Sequence, residues 1–185
     1  MPTLIIPIGF SGAGKTRYFK KKYYNSTKAI YISKDVLRIK MCGDINDQSQ
    51  NKKIAIISGQ LLLKTIEEHL NDNINIYYDN INLNILSTVK KYLRDYPTLK
   101  VKMILFMDSL NPQLRIQRVQ NDLNHGINRA NTTMVINDNE IDLFNKNVNN
   151  IMKFYKTSNE KDIIDRLTII KLENNKTSTL YRIEK

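Results

Sequence analysis

Short apolar runs alternate along this chain with longer stretches of helical periodicity. Residues 4–8 are apolar and stop at a glycine-rich turn, and residues 15–24 carry helical character. A second run, Ala29-Ile30-Tyr31-Ile32-Ser33, is β-branched and aromatic, as a buried strand requires, and it ends at polar Lys34-Asp35. Val36, Leu37 and Ile39 predict a short helix after it. Over 52–70 the apolar positions Ile54, Ile57, Leu61, Leu62, Ile66 and Leu70 recur at helical spacing, so one long amphipathic helix turns a face to the core. Residues 74–78 read as a third strand ending at Asp79, 83–96 as a helix stopped by Pro97, and 101–107 as a fourth, strongly apolar strand. Asn111-Pro112 opens a helix reaching about 124, with proline suited to its first position. Residues 126–133 are polar and aperiodic and read as a loop. Asp138 and Glu140 start another helix through Leu143, Val148, Ile151, Met152 and Tyr155. Residues 167–172 form a fifth strand, and 180–183 are placed at a sheet edge.

Strands alternating with helices predict an α/β fold, a three-layer sandwich whose parallel sheet of about five strands is covered on both faces. The chain of 185 residues is expected to be one domain, 1–185, with no internal repeat or linker. In such sheets ligands bind beyond the carboxyl ends of the strands. That rule gathers residues 9–16, Lys34-Asp35, Asp79 and Asp108 along one rim.

Composition changes the picture only in part. Hydrophobic residues at 41% and charged residues at 25% are ordinary for a globular chain and exclude general disorder. A net charge of +11 predicts attraction to polyanions such as nucleic acids or nucleotides, although part of the excess is the Lys20-Lys21-Lys22 run, whose simpler role is a solvated helix end. The single cysteine, Cys42, excludes an internal disulfide and a four-cysteine zinc site. Residues 1–8 lack the basic start of a signal peptide, and no stretch is apolar for a bilayer's width, so no membrane partner and a cytoplasmic location, host cytoplasm for a viral chain, are expected.

The chemistry begins at Gly9-Phe10-Ser11-Gly12-Ala13-Gly14-Lys15-Thr16, which matches G-x-x-x-x-G-K-[ST] in full. Its glycines let the backbone curl so that amides point at phosphate oxygens, Lys15 reaches the outer phosphates, and the Thr16 hydroxyl suits magnesium. ATP and Mg²⁺ are therefore the expected cofactors. A guanine-specifying N-K-x-D is missing, since Asn51-Lys52-Lys53-Ile54 lacks the aspartate, and Asp79-Asn80-Ile81-Asn82 lacks the glycine of a switch motif, so a GTPase is disfavoured. A motor ATPase would want a larger domain. On the same rim Asp35 could take the proton of an attacking hydroxyl, with Arg38 three residues on sharing its helical face and suited to an acceptor's phosphate. The competing reading of that pair is a helix-start carboxylate in a surface ion pair.

Ile32-Ser33-Lys34-Asp35-Val36-Leu37-Arg38, at this interval after the P-loop, resembles the D-x-x-R element of the polynucleotide 5'-hydroxyl kinase domain of bacteriophage end-healing enzymes. The segment from Ile76 through Asp79 to Asn84 is similar to that family's apolar strand, aspartate and asparagine-rich turn. Zeta-toxin-like and other small P-loop kinases share much of the pattern. The resemblance implies a general base at Asp35, an acceptor-binding Arg38 and a supporting Asp79. It also implies a helical lid, here about 112–133, whose arginines neutralise charge on the transferring group; Arg118 best matches the first, and Arg129 is the candidate second. The family's arginine before a glycine is replaced by His125-Gly126. The histidines His125 and His69 are expected to be ordinary surface residues, and Tyr18, Tyr23 and Tyr24 to pack the first helix rather than stack on bases. The sequence thus predicts an ATP-dependent phosphotransferase acting on a nucleic-acid hydroxyl, most concretely a 5'-hydroxyl end of DNA or RNA. Two alternatives stay open: a kinase of another hydroxyl (a hydroxymethylated base, a nucleoside or a nucleotide sugar), and a nucleotide-binding regulatory protein with little turnover. With no D-x-D-x-[TV] motif, a phosphatase half is not expected.

Overall fold

The computed structural model describes residues 1–125, 138–157, 165–173 and 176–181. In chain order the elements are β1 (Thr3–Ile8), α1 (Lys15–Tyr23), β2 (Ala29–Ser33), α2 (Lys34–Cys42), α3 (Asn51–Glu68), β3 (Asn75–Asp79), α4 (Leu86–Asp95), β4 (Lys100–Phe106), α5 (Pro112–Asn124), α6 (Asp138–Thr157), β5 (Leu167–Glu173) and β6 (Lys176–Tyr181).

The strands are mostly apolar because both faces of the sheet are covered, with Lys102 of β4 and Lys171 of β5 among the exceptions. Leu4, Ile6 and Ile8 of β1 point to one face, where they join Val101, Met103 and Leu105 of β4 beneath Leu62 and Ile66 of α3, Val89 and Leu93 of α4, and Phe144, Val148 and Ile151 of α6. Ile5, Tyr77, Ile104 and Phe106 point to the other, against Ala13 of the loop after β1 and Phe19 of α1. Each such fully buried side chain stabilises the fold by about 1.5–3 kcal/mol. Helix and sheet layers therefore form on both sides, as the alternation of elements predicts.

Strand order is β2-β3-β1-β4-β5-β6, parallel from β2 to β5, with β6 antiparallel to β5. From β1 the chain adds strands first to one side and later to the other. That reversal leaves a crevice at the carboxyl end of β1, where open α/β sheets bind their ligands.

Four boundaries differ from the sequence reading, each for a local reason. Helix α2 starts at once after β2 because the Ser33 side chain accepts from the Asp35 N–H at 3.2 Å, and it lasts until Gly43 turns left-handed (φ 75°). Helix α4 starts at Leu86 rather than 83, because Asn82 sits at φ 58° and its side-chain amide donates to the Pro7 and Tyr78 carbonyls at 2.9 and 3.0 Å. After β4 the chain tightens into a 3-10 turn, Met107–Leu110, that buries Asp108 and Ser109. The edge strand β6 spans Lys176–Tyr181, earlier than 180–183, of which 182 and 183 lie outside the described residues.

Candidate functional site

The loop between β1 and α1 is held from below by the turn after β4. Phe10 donates its N–H to the Ser109 hydroxyl at 3.1 Å, and a side chain at Gly9 would bring its Cβ within 2.5 Å of that same oxygen. Gly12 (φ 76°) passes so close to α5 that a Cβ there would lie 2.7 Å from the Arg115 carbonyl oxygen. Glycine is thus enforced twice, by backbone conformation and by contact. Phe10 anchors the loop on the opposite side, its ring 5.5 Å from that of Phe144 on α6.

Helix α1 then begins at Lys15 behind left-handed Gly14, with no side chain capping its first amides. The amides of a helix's first turn and the positive end of its dipole make this a site for anions. The Lys15 ammonium lies back over the loop, donating to the Gly9 and Phe10 carbonyls at 2.8 and 2.9 Å, while Tyr77 donates to the Lys15 carbonyl at 3.0 Å. Such a cradle fits a nucleotide's phosphates.

One turn deeper, the Thr16 hydroxyl donates to Oδ2 of buried Asp79 at 2.9 Å, and the Tyr31 hydroxyl donates to the same oxygen at 2.6 Å. Burial, and next the Asp79 charge, push Tyr31 above its ordinary range, so it remains a neutral donor. Among the described residues no group of three histidine, cysteine or acidic side chains could cage a metal. Magnesium needs no such cage: it takes one or two protein oxygens and completes its shell with phosphates and water. Thr16, backed by Asp79, fits that pattern.

Across a cavity of about 950 Å³, whose walls include Lys15, Thr16 and Asp79, stand Lys34, Asp35, Arg38 and Asn51. Arg38, its side chain 10% exposed, is paired with the 56%-exposed Asp35 carboxylate at 2.6 Å. Its other terminal nitrogen donates to Asn51 at 2.8 Å, and Asn51 in turn donates to Gln48. The fork is thus fixed from two sides while the carboxylate faces the cavity. Burial, then repulsion from Arg38, pull Lys34 below its ordinary value. The D-x-x-R spacing places both groups on one helical face, where they form an ion pair.

The third wall is α5. Arg118 pairs with buried Asp108 at 2.7 Å and reaches the Ala13 and Gly12 carbonyls at 3.2 and 3.4 Å. Arg115, almost wholly buried, lies over the Phe10 ring and donates to the Ser11 carbonyl at 3.3 Å. Both arginines brace the P-loop backbone, and Arg118 also borders the cavity. Arg129 lies outside the described residues, as do lid residues 126–133. His125 bonds the Asn121 carbonyl at 2.7 Å and His69 pairs with Asp72 at 2.6 Å, both away from the phosphate loop.

Sequence reasoning missed four residues. Asn51 opens α3, whose apolar periodicity drowns a single polar residue. Tyr31 reads as strand filler. Ser109 hides in a turn that looked like strand and helix start. Only Arg115 had a signal, since it precedes Arg118 by three residues and shares its helical face.

Solved structures of similar fold include a chain of the Pnkp1/Rnl/Hen1 RNA repair complex, with 14% identity, a TM-score of 0.55, 82% of this chain and 45% of that chain covered. A chain of the PezAT toxin–antitoxin system of Streptococcus pneumoniae matches with 15% identity, a TM-score of 0.60, and 100% and 74% coverage. A fungal RNA kinase has 18% identity, a TM-score of 0.48, and 100% and 78% coverage. This chain therefore spans less than half of the RNA repair chain it matches. No curated protein matches the sequence. The first two likenesses establish the α/β fold described above. The family is fixed by sequence: the profile of the AAA domain matches residues 4–138, well over half of the chain, and to that family of P-loop proteins the chain belongs.

Proposed function

We propose that this protein is an ATP-dependent kinase that transfers the γ-phosphate to a nucleic-acid hydroxyl, most concretely the 5'-hydroxyl end of DNA or RNA. The observation that carries the reading is the Asp35–Arg38 pair at 2.6 Å, an open carboxylate held by a nearly buried guanidinium on the wall of the cavity that the P-loop also lines. A nucleotide site alone needs neither group. A transferase needs both, one to receive a proton and one to hold the acceptor.

In this mechanism Asp35 accepts the proton of the acceptor hydroxyl as its oxygen bonds to the γ-phosphorus and the bond to the leaving ADP oxygen breaks. Arg38 and Lys34 hold phosphate next to the reacting hydroxyl, with Asn51 keeping the guanidinium in plane. Lys15 and the amides opening α1 stabilise the transferring phosphate. Thr16, backed by Asp79, would hold a magnesium ion, which would supply neutralisation of phosphate charge. Arg118 keeps the P-loop carbonyls turned away from the anion, and Arg129 is the candidate second lid arginine. The RNA-repair neighbour and the net charge of +11 support a polymeric acceptor over a free metabolite.

The test is label transfer from γ-labelled ATP to a panel of 5'-hydroxyl DNA, 5'-hydroxyl RNA, modified-base DNA and free nucleosides. Label is expected on 5'-hydroxyl ends, and label confined to nucleosides would overturn the polymer reading. Asp35→Asn is expected to slow transfer by about 10²–10⁴-fold with ATP affinity intact. An unchanged rate would remove Asp35 as the base, and no transfer to any acceptor would favour a nucleotide-binding regulator.

A further inference from the structure

We infer that Tyr31 is a positioning residue for the metal side of the nucleotide site: its hydroxyl fixes the Asp79 carboxylate that takes the Thr16 proton, and so leaves a Thr16 lone pair aimed at a divalent cation. The inference rests on the reading of Thr16 as the magnesium-side hydroxyl given above. It adds a residue that lies outside the G-x-x-x-x-G-K-[ST] motif.

The geometry carries it in three steps. A threonine hydroxyl has one proton and two lone pairs, and that proton is committed to Asp79 Oδ2 at 2.9 Å. What remains for a cation is the lone pairs, and their direction follows from where Asp79 stands. Asp79 ends a strand and its carboxylate could rotate. The second donor on the same oxygen, Tyr31 at 2.6 Å, is short enough for a charge-assisted bond and removes that freedom.

Tyr31 does not need its hydroxyl to be held in place. Its ring stacks on Phe19 at 4.4 Å and lies 6.0 Å from that of Tyr77, its partner in the β2–β3 register. Phenylalanine would keep these contacts. The hydroxyl is therefore separable from the packing; it donates to the carboxylate beneath the P-loop and lies within reach of the Thr16 and Ser33 hydroxyls. The same strand continues two residues to Ser33, which caps the helix bearing Asp35, so one rigid β2 sets both the metal side and the acceptor side.

Tyr31→Phe isolates the hydroxyl. The probe is AMP-PNP, a non-hydrolysable ATP analogue, titrated by calorimetry once in saturating Mg²⁺ and once in EDTA. For the wild type, magnesium is expected to tighten binding. In Tyr31→Phe the ratio of the two affinities should fall about tenfold, as for loss of a bond to a charged group, with EDTA affinity unchanged and a cooperative melt retained at a midpoint a few degrees lower. Asp79→Asn with and without Tyr31→Phe closes a double-mutant cycle, and the magnesium effect of the double variant should equal that of Asp79→Asn alone. An unchanged ratio, a parallel loss in both buffers, or additive losses in the cycle would each overturn the role of Tyr31. A wild type that binds AMP-PNP without any magnesium effect would instead sink the metal reading of Thr16, and Tyr31 with it.

Discussion

Asn80 follows Asp79 on the cavity wall, and both polar atoms of its buried carboxamide lack a hydrogen-bond partner among the described residues. A buried amide left unmatched costs about 1–3 kcal/mol. Leucine has nearly the same shape without that cost, so Asn80→Leu is expected to stabilise the protein by about 1–2 kcal/mol, raising the thermal midpoint by roughly 2–6 °C. A lower midpoint would show that the carboxamide is matched in solution. The contrast with Asn82, two residues on and bonded to two carbonyls, shows why one asparagine in a rich turn holds the loop and its neighbour does not. Residues differed in the same way in how legible they were. Residues 9–16 act through backbone shape over consecutive positions, so a linear pattern finds them. Asp35 and Arg38 pair within one helical turn, so a linear pattern reaches them as well. Asn51 meets Arg38 from 13 residues away, and Tyr31 meets Asp79 from 48, distances at which pairing is set only by strand and helix placement.

At the scale of elements, the face of the sheet under α1 is unusually aromatic: Tyr18, Phe19 and Tyr23 of the helix meet Tyr31 and Tyr77 of β2 and β3. Burial raises the pKa of Tyr18, Tyr23 and Tyr77 above the ordinary value near 10.0, and for Tyr77 the Asp79 charge adds to it. The folded protein thus keeps protons that the unfolded chain gives up near pH 10. Stability from these groups is whole below that pH and is lost as pH rises above it. The thermal midpoint should stay level approaching pH 10 and fall beyond it, with tyrosinate absorbance at 295 nm rising in step with unfolding. Smooth titration of all ten tyrosines in a folded protein would contradict that burial. Such elements were legible because a parallel strand covered on both faces must be mostly apolar. Their ends were less so: the start of α4 depends on a left-handed Asn82 bonded to Pro7, 75 residues earlier, which no window of local sequence contains.

Taken whole, the molecule carries a net charge of +11, and Arg17, Lys20 and Lys34 are among the residues lining the cavity. If a nucleic-acid strand follows those cations, the KM for an oligonucleotide should climb steeply with salt, with log affinity falling by about 0.7 per tenfold change in salt for each phosphate neutralised. The KM for ATP should move far less, and equal salt responses would deny the polymer its place there. The P-loop's braces have a different consequence, in time rather than space. Ser109, Arg115 and Arg118 meet the loop from 99 to 106 residues downstream. During synthesis at about 5–20 residues per second, the loop leaves the ribosome roughly 5–20 s before the groups that shape it. Phosphate binding should thus be acquired late, only once α5 has emerged and docked against a loop and an acceptor wall made well before it.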